Sequence, residues 1–476
     1  MQPNRHKAKL IERFDHIARD RDAWRQKNKY YHQSVIAFLR FLVPDGQKVL
    51  MLGSSTGDIM AALNPSEGVG IDISSRMVEI ASHRYPQYTF IQGDAEDPAT
   101  WGETVRGPFD FIVLPALLGH LEDIQQTFEN LNAYCDGKTR LVLGYYNFLW
   151  EPVLKVGEKL RLKMPQRTQN WLSPEDIGNL LDLADFEVVK TDRKLLVPKK
   201  IPLLHRVVEA VGSLPGINRL CINNYIVARR QSRSNFQSLN VSIVIPCRNE
   251  KGNIEEAIRQ IPEFGRHQEI IFVEGHSQDG TLREIKRIQE KYPEKDIKWF
   301  VQPGKGKADA TWTGFDNASG DILMILDGDL TVPPKDLPKF YRAIVADKGE
   351  FVNGSRLVYP LEEDSMRLLN TLGNKFFSLV FTWLLNQRIK DTLCGTKVIS
   401  RENYIKLRDG RSYFGDFDPF GDFDLLFGAA KLNLRIREVP IRYRARSYGE
   451  TQIKRFSHGL LLLRMTVFAA RKLKLI

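Results

Sequence analysis

Short apolar runs that end at small polar turns recur along the chain, and a helical pattern follows most of them. Apolar runs of about four to eight residues with such boundaries are typical of buried strands in a mostly parallel sheet. Segments of this kind lie in the first half at residues 48–63, 68–74, 88–98 and 109–123, and in the second half at 241–258, 270–281 and 322–329. The alternation predicts an α/β fold in each half of the chain.

A polar stretch rich in Ser, Asn and Gln at residues 231–240 separates two strand-like runs and has the composition of a linker. With 476 residues the chain has room for two or three domains, and 42% hydrophobic and 27% charged residues are ordinary for globular protein. We therefore predict a first domain, a linker, a second domain and a C-terminal amphipathic helix at residues 1–230, 231–239, 240–458 and 459–476.

The formal net charge of +11 favours anionic partners, which include nucleic acid, an acidic membrane surface and phosphorylated ligands. No basic motif interleaved with aromatic residues is visible, so we expect phosphates and lipid headgroups and no nucleic acid. The four cysteines are scattered without metal-binding spacing, which indicates a reducing compartment. The first twenty residues lack the apolar core of a signal peptide, and no apolar stretch reaches the roughly 18 residues of a membrane span. We expect a cytoplasmic location, at the inner face of the cell membrane.

The turns of the first half carry residue types that can hold a nucleoside. Gly53 and Gly57 permit close backbone approach, and the helix that follows offers unpaired N–H groups. Asp72 ends the next strand-like run, where a carboxylate can accept hydrogen bonds from a ribose diol. Asp94 ends the third run. Carboxylates at two consecutive strand ends favour a ligand site in a doubly wound sheet.

The order of these blocks resembles that of class I S-adenosylmethionine-dependent methyltransferases, over roughly residues 30–230. The resemblance implies a Rossmann-like sheet that binds S-adenosyl-L-methionine. The implied contacts are the loop of Gly53, Ser55 and Gly57 for the methionine part, Asp72 for the ribose, and Asp94 with Ala95 for the adenine. Met51 replaces the family's acidic residue and Ser55 its central glycine, so the alternative is a degenerate domain that binds or assembles without catalysis.

His120 follows the fourth run of the first half, where a methyl acceptor would approach. Methyl transfer from a sulfonium needs mainly alignment, with a base if the acceptor is a hydroxyl. His120 is therefore a candidate catalytic base, and the alternative is a structural or solvated histidine.

The second half presents two carboxylates, Asp327 and Asp329, directly after the apolar run at residues 322–326. Together they can bind one divalent cation, Mg²⁺ or Mn²⁺, which in turn can hold a diphosphate. An isolated Asp-Gly-Asp is more often a solvated turn. Here a strand, a polar loop and an amphipathic helix at residues 241–258 precede it, which favours nucleotide-sugar chemistry.

Several ordered blocks in residues 240–456 resemble glycosyltransferase family 2, the GT-A fold of inverting nucleotide-sugar transferases, and especially its polyprenyl-phosphate branch, which is similar to dolichol-phosphate-mannose synthase. The blocks are VSIVIPCRNE, IIFVEGHSQDGT, GKGKADATWTGF, LDGDL, NGSR, DTLCGTKV and RARSYGETQIKR. The resemblance implies a GT-A sheet, a UDP- or GDP-sugar donor, and a polyprenyl-phosphate or glycan acceptor.

The nucleotide-sugar contacts that this resemblance implies are Pro246, Glu250, Glu274, Lys305, Lys307, Asp327, Arg356, Arg444, Arg446 and Lys454. Glu274 stands where the family usually has paired aspartates, which leaves the choice between uracil and guanine open. Lys305 and Lys307 are either mobile cations of a glycine loop or solvated loop charges. The arginines and Lys454 would bind the diphosphate and an acceptor phosphate.

Three further carboxylates, Asp391, Asp422 and Asp424, are candidates for a general base that a sugar hydroxyl acceptor would need. A phosphate acceptor has a second pKa of about 6 and is already ionised near neutral pH, so no base is then required.

Two segments combine apolar bulk with basic flanks, at residues 366–390 and 459–476. This pattern is typical of helices that lie in the headgroup plane of an anionic membrane, and the alternative is a buried core or dimer helix. In the last segment we expect residues 460–463, 465, 467 and 468 to insert.

The sequence thus predicts a bifunctional enzyme, an S-adenosylmethionine-dependent methyltransferase joined to an inverting, metal-dependent glycosyltransferase at the membrane surface. The alternative is a soluble glycosyltransferase that acts on a glycan or small metabolite and carries a non-catalytic methyltransferase-like binding domain.

Overall fold

The computed structural model describes residues 5–165, 170–231, 238–356, 368–413, 421–441, 448 and 455–475. For residues 5, 6, 368–375, 422 and 455–460 it describes the backbone alone. The chain forms two compact units, one of Met1–Ser232 with Lys474–Ile476 and one of Arg233–Leu473.

The first unit contains a seven-stranded sheet in the order β3-β2-β1-β4-β5-β7-β6. Its strands are β1 (Lys48–Leu52), β2 (Glu67–Asp72), β3 (Thr89–Gln92), β4 (Phe111–Leu114), β5 (Arg140–Tyr146), β6 (Phe186–Lys194) and β7 (Asn223–Arg230). The first five strands in chain order pair in parallel, and β7 is antiparallel to both β5 and β6. The strand order therefore reverses between β1 and β4, and ligands of doubly wound sheets bind at such a crevice.

The helices of the first unit are α1 (Arg5–Ala18), α2 (Arg21–Lys27), α3 (Lys29–Leu42), α4 (Asp58–Leu63), α5 (Ser75–Arg84), α6 (Ile124–Leu131), α7 (Glu151–Lys159), α8 (Pro174–Leu183) and α9 (His205–Ser213). Side-chain caps fix several of their starts. The Ser74 hydroxyl accepts from the Met77 amide at the start of α5, and Ser173 and Asp176 form a capping box on α8. Strand β4, which is fully buried, and β1, which is buried after Lys48, supply the centre of the core.

The second unit contains a seven-stranded sheet in the order β10-β9-β8-β11-β13-β12-β14. Its strands are β8 (Val241–Cys247), β9 (Gln268–Glu274), β10 (Asp296–Val301), β11 (Ile322–Ile325), β12 (Phe351–Ser355), β13 (Lys397–Ser400) and β14 (Ile436–Pro440). β10, β9, β8 and β11 are parallel, and β13 is antiparallel to its two neighbours. The carboxyl ends of β8, β9 and β11 thus lie at one edge of the sheet.

The helices of the second unit are α10 (Ile254–Gln260), α11 (Thr281–Lys291), α12 (Gly306–Asp316), α13 (Leu337–Val345), α14 (Leu368–Leu385), α15 (Arg401–Asp409), α16 (Asp422–Lys431) and α17 (Arg455–Leu473). α14 and α17 pack beside each other. Within the described ranges, no helix combines the length and apolar character needed to cross a membrane. The predicted pair of α/β folds is confirmed.

The C-terminal helix α17 corrects one expectation. Leu462, Met465 and Ala469 form a buried stripe on it, and Met465 and Ala469 have no exposed surface. Their spacing brings them to one helix face, which packs into the protein. Leu462 and Met465 are therefore core residues and do not insert into a membrane, whereas Val467 is 54% exposed.

Candidate active sites

The loop after β1 lies directly against the end of β2. Gly53, Ser55 and Gly57 all have positive φ, of 75°, 50° and 79°. The Ser55 amide donates to Oδ2 of Asp72 at 2.8 Å, so the serine adopts the left-handed conformation that a glycine would take there. A side chain on Gly57 would come within 2.9 Å of the Phe90 and Tyr85 rings, which explains the glycine. Met51 is a buried residue of β1.

Asp72 closes this loop with both carboxylate oxygens. Oδ1 accepts from the Ser74 amide at 3.0 Å, while Oδ2 accepts from Ser55. Burial raises the pKa of Asp72 despite these hydrogen bonds. Each oxygen keeps a second lone pair, so the carboxylate can still accept from a ribose diol.

Asp94 and Ala95 follow β3, and helix α1 reaches the same place. Lys7 forms ion pairs with Asp94 at 2.5 Å and with Glu96 at 3.1 Å. Ala95 is buried. The sequence interpretation missed this role of α1, although its basic and apolar residues alternate in an amphipathic pattern. The helix lies across the strand ends where the adenine is expected.

His120 ends a short helical turn after β4, and among the described residues its buried Nδ1 has no hydrogen-bond partner. The Phe14 ring contacts it edge-on, with centroids 5.4 Å apart. Burial, and then the charges of Arg13, Lys163 and Arg21, lower the pKa of His120 to about 4. The imidazole is neutral at pH 7, and its low pKa makes it a weak base.

A small cleft opens beyond the carboxyl ends of β4 and β5. Its lining includes Tyr31, Gly119, Tyr146, Asn170, Asn223 and Tyr225. The Tyr31 and Tyr146 rings lie 6.2 Å apart, and the Tyr31 hydroxyl donates to Oδ1 of Asn223 at 3.2 Å. Aromatic walls with polar groups suit a small ring-bearing ligand.

In the second unit, Asp327 follows β11 and pairs with Lys307 near the start of α12, with Oδ1 and Nζ 2.6 Å apart. Burial raises the pKa of Asp327, but the positive charges of Lys307, Lys397 and Arg356 outweigh it, and the pKa lies below its ordinary value. The structure thus brings together three of the predicted donor residues, Lys307, Asp327 and Arg356.

Gly395 and Lys397 complete this cluster, and the sequence interpretation did not single them out. A side chain on Gly395 would overlap both the Asp327 carboxylate and the Lys307 ammonium. Lys397 is buried and donates to the Cys394 carbonyl at 2.5 Å. Both residues lie in the block DTLCGTKV. A glycine and a lysine in a local pattern do not reveal that they lie near Asp327 and Lys307, which belong to other segments of the chain.

Asp391 is fully buried and binds Arg356 in a bidentate pair. Nε donates to Oδ2 at 2.7 Å, Nη2 donates to Oδ1 at 2.8 Å, and the Arg356 amide adds a third bond at 2.9 Å. Burial raises the pKa of Asp391, but Arg356 outweighs it, so the carboxyl stays ionised and weakly basic. This geometry suits a residue that positions Arg356 better than it suits a general base.

The remaining predicted donor residues lie at the same sheet edge. Gly328 fits under the first loop, where an added side chain would come within 2.9 Å of the Pro246 carbonyl and 3.5 Å of Glu250. Glu250 accepts from the Asn253 amide group at 2.6 Å. Glu274 is buried at the end of β9 and caps the turn after it by accepting from two backbone amides. Lys305 is exposed at the start of α12.

Asp422 and Asp424 both lie in α16, and for Asp422 the structure describes the backbone alone. Asp422 is the first residue of α16, and the preceding Gly421 lies against Ala308, next to Lys307 in sequence. Asp424 is buried instead, with Oδ2 3.6 Å from Nε of Arg411. The backbone of residues 421–422 therefore lies beside the donor cluster, whereas Asp424 belongs to a separate cleft. Arg444, Arg446 and Lys454 lie outside the described residues.

A divalent cation fits the chemistry of the donor cluster in part. Asp327 is ionised, and Asp329 accepts from the Thr331 amide and hydroxyl at 3.1 and 2.8 Å through Oδ1. Among the described residues, no three His, Cys, Asp or Glu side chains come together as a metal cluster. A cation held by Asp327 and Asp329 would therefore take its other ligands from phosphate oxygens.

Comparison with known proteins identifies the two domains. A model of a methyltransferase domain matches residues 23–191, and a model of glycosyl transferase family 2 matches residues 242–407. The chain carries a methyltransferase domain and a family 2 glycosyltransferase domain. The domain resemblance deduced from the sequence is confirmed.

The glycosyltransferase domain has curated relatives. A dolichol-phosphate mannosyltransferase of Pyrococcus furiosus is 29% identical over 221 residues, which are 45% of this chain and 60% of that protein. A UDP-N-acetylglucosamine–dolichyl-phosphate N-acetylglucosaminyltransferase of Methanococcus voltae is 26% identical over 42% of this chain and 84% of that protein. The match thus spans less than two thirds of the Pyrococcus protein.

The methyltransferase domain is similar to solved structures at low identity. An S-adenosylmethionine-dependent methyltransferase of Thermotoga maritima, described as a possible histamine N-methyltransferase, is 18% identical, with a TM-score of 0.36. The similarity covers 46% of this chain and 98% of that one.

Proposed function

We propose that the glycosyltransferase domain transfers a sugar, with inversion, from a nucleotide sugar to a polyprenyl phosphate or a related lipid acceptor. The observation that carries the proposal is the cluster of Asp327 with Lys307, Lys397 and Arg356 at the ends of β11 and β12. Three cations around one carboxylate suit a diphosphate. The names of the Pyrococcus and Methanococcus relatives support a lipid-phosphate acceptor.

In this mechanism Lys307 and Arg356 bind phosphate oxygens through charge-assisted hydrogen bonds. Asp391 holds the Arg356 guanidinium in a fixed plane, so little ordering entropy is lost when a phosphate binds. The acceptor phosphate attacks the anomeric carbon, and the bond to the nucleoside diphosphate breaks. An acceptor phosphate is already ionised, so no base is needed. A Mg²⁺ or Mn²⁺ ion at Asp327 and Asp329 would neutralise charge on the leaving diphosphate.

A thermal-shift screen with UDP- and GDP-sugars, with and without Mg²⁺ or Mn²⁺, tests donor binding and then selects the donor for a transfer assay. Asp329→Asn should lower sugar transfer about 10-fold to 1000-fold while methyl transfer is unchanged. Glu263→Gln, whose side chain is 87% exposed, is the control. Wild-type transfer by Asp329→Asn with a verified donor would remove the proposed role of this carboxylate.

For the first domain, the proposal is S-adenosylmethionine-dependent methyl transfer. The supporting observation is that the Gly53 loop, Asp72 and the aromatic cleft lie along one edge of the sheet. His120 is neutral at pH 7 and can accept a hydrogen bond from a hydroxyl acceptor, but its low pKa makes it a weak base for taking the proton as the methyl group leaves sulfur. Calorimetry with S-adenosylmethionine distinguishes this function from a non-catalytic domain. A folded protein that binds no S-adenosylmethionine would support the latter.

We also propose that α14 and α17 present an apolar surface to anionic lipids. Phe376 and Leu379 on α14 are 51% and 73% exposed, and Leu463 and Val467 on α17 are 43% and 54% exposed. Arg464 beside them is exposed. Apolar side chains with neighbouring cations suit the headgroup region of a membrane.

Flotation with anionic liposomes tests this surface. The double variant Leu379→Asp and Val467→Asp should float about 10-fold less than wild type, and high salt should weaken wild-type attachment. Leu183→Asp, at a residue 56% exposed on α8, is the matched control. Equal flotation of the double variant and wild type would show that this surface is not the anchor, whereas a wild type that does not float would favour the soluble glycosyltransferase that acts on a glycan or small metabolite.

A further inference from the structure

Arg21 of the methyltransferase domain has no carboxylate partner among the residues that the structure describes. It is the first residue of α2, and its Nε is shielded from solvent and has no hydrogen-bond partner. One terminal nitrogen, Nη1, lies 3.6 Å from Sδ of Met164. Within the described residues, no Asp or Glu forms an ion pair with it. The residue as a whole is partly exposed, and the Met164 thioether replaces little of the hydration that the shielded Nε loses.

Other cations near Arg21 do form ion pairs. Arg25 pairs with Asp58, and Lys163 pairs with Glu158 at 2.6 Å. The carboxylate of Asp72 is held by two backbone amides. Asp58, Glu158 and Asp72 thus already have partners, and they do not form an ion pair that would neutralise the positive charge of Arg21.

The surroundings of Arg21 place it between the two parts of the site. Burial lowers its pKa, and the groups whose charges act on it next are Tyr146, Asp72, Arg25 and Asp58. Tyr146 lines the cleft, Asp72 stands at the expected ribose position, and Asp58 opens the helix after the glycine loop. A ligand that spans the loop and the cleft would pass this guanidinium.

Two nearby histidines do not change this charge balance. Burial, and then the charges of Arg21 and Arg25, lower the pKa of His32 to about 4, and His120 has a similarly low pKa. Both rings are neutral at pH 7, so they neither neutralise an anion nor compete with Arg21 for one.

We propose that Arg21 binds an anionic group, a carboxylate or a phosphate, of a ligand held in the methyl-transfer site. Guanidinium groups bind both anions through paired charge-assisted hydrogen bonds. The anion has two sources, the carboxylate on the methionine part of the cofactor or an acidic group on the methyl acceptor. The inference rests on the proposed methyltransferase function.

The first arm of the test separates the cofactor's carboxylate from its nucleoside. Calorimetry compares S-adenosylhomocysteine with 5′-methylthioadenosine, which shares the adenosine thioether but lacks the carboxylate. If Arg21 binds the cofactor, Arg21→Gln weakens S-adenosylhomocysteine about 10-fold or more, leaves methylthioadenosine unchanged, and Arg21→Lys recovers part of the loss. Arg40→Gln, at an arginine whose side chain is 55% exposed, is the control.

The second arm tests the acceptor. Ligand-observed NMR titrations compare phenyl phosphate with neutral benzyl alcohol, with and without S-adenosylhomocysteine. Loss of phenyl phosphate binding in Arg21→Gln, with unchanged S-adenosylhomocysteine affinity, assigns the anion to the acceptor. Circular dichroism and thermal melting confirm that each variant is folded.

The proposal is overturned if Arg21→Gln binds S-adenosylhomocysteine and phenyl phosphate as wild type does. It is equally overturned if wild type binds benzyl alcohol as tightly as phenyl phosphate and its affinity for S-adenosylhomocysteine does not depend on Arg21. If wild type binds neither adenosyl ligand, the methyltransferase function fails, and the phenyl phosphate titration without S-adenosylhomocysteine still decides the role of Arg21.

Discussion

The two sites of this chain balance charge in opposite ways. In the glycosyltransferase domain, carboxylates and cations pair directly, Asp327 with Lys307 and Asp391 with Arg356. In the methyltransferase domain, Asp72 is held by backbone amides, and Arg21 has no carboxylate among the described residues. The first arrangement is fixed before a ligand arrives, and a diphosphate must compete for its cations. The second arrangement leaves the positive charge of Arg21 available to an anionic ligand.

The largest expected effect comes from breaking the fixed pair in the glycosyltransferase domain. Asp391→Ala removes a fully buried carboxylate and leaves the Arg356 guanidinium, which is only 11% exposed, without its partner. Unpaired buried charge should lower the free energy of unfolding by about 3–5 kcal/mol. Urea unfolding measures this value. Asp409→Ala, at a side chain 64% exposed, should change it by less than about 0.5 kcal/mol.

Gly395→Ala is expected to disrupt the second pair with a smaller effect on stability. The new methyl group would overlap Asp327 and Lys307 and push them out of position. Sugar transfer should fall about 100-fold or more, because the phosphate-binding groups must be in place before reaction. Gly410→Ala is the control, since the nearest atom to its added methyl group is 3.4 Å away. Full activity of Gly395→Ala would show that the cluster does not act on the donor.

In the methyltransferase domain, Asp72→Ala tests a carboxylate that has no cationic partner to release. The loss of hydrogen bonds to the ribose and to the Ser55 and Ser74 amides should weaken S-adenosylmethionine binding by about 2–3 kcal/mol. Calorimetry measures the affinity, and Asp45→Ala, at a side chain 57% exposed, is the control. An unchanged dissociation constant would mean that the ribose binds elsewhere.

The smallest effect is on the pH dependence of stability. His32 and His120 have pKa values of about 4 in the folded protein, below the ordinary value of 6.5. Between these values the unfolded chain binds more protons, so stability falls as the pH drops from 6.5 to 5, by at most about 2 kcal/mol for each histidine.

Unfolding at several pH values checks this dependence. The double variant His32→Asn and His120→Asn should lose this part of the slope, whereas His83→Asn, at an exposed residue of α5, should retain it. Identical slopes in the double variant and wild type would show that both rings titrate normally.

The sequence by itself determined the class of fold and the residues at the strand ends. Asp72 and Asp327 could be identified because a buried strand followed by a turn is a local pattern, and the carboxyl ends of parallel strands form one edge. The same local reasoning found the glycine loop, in which Ser55 adopts the positive φ that a glycine would take.

Only the tertiary structure decided which side chains meet. Lys7 and Asp94 are 87 residues apart in the sequence, and Arg356 and Asp391 are 35 apart. Hydrophobic periodicity gives no information about such pairs, because ion pairs depend on how helices and strands pack. The same packing made one face of α17 part of the core and left Arg21 without a carboxylate partner in the described part of the chain. Burial and charge balance arise from contacts between distant segments, so they follow from the fold and not from any local pattern.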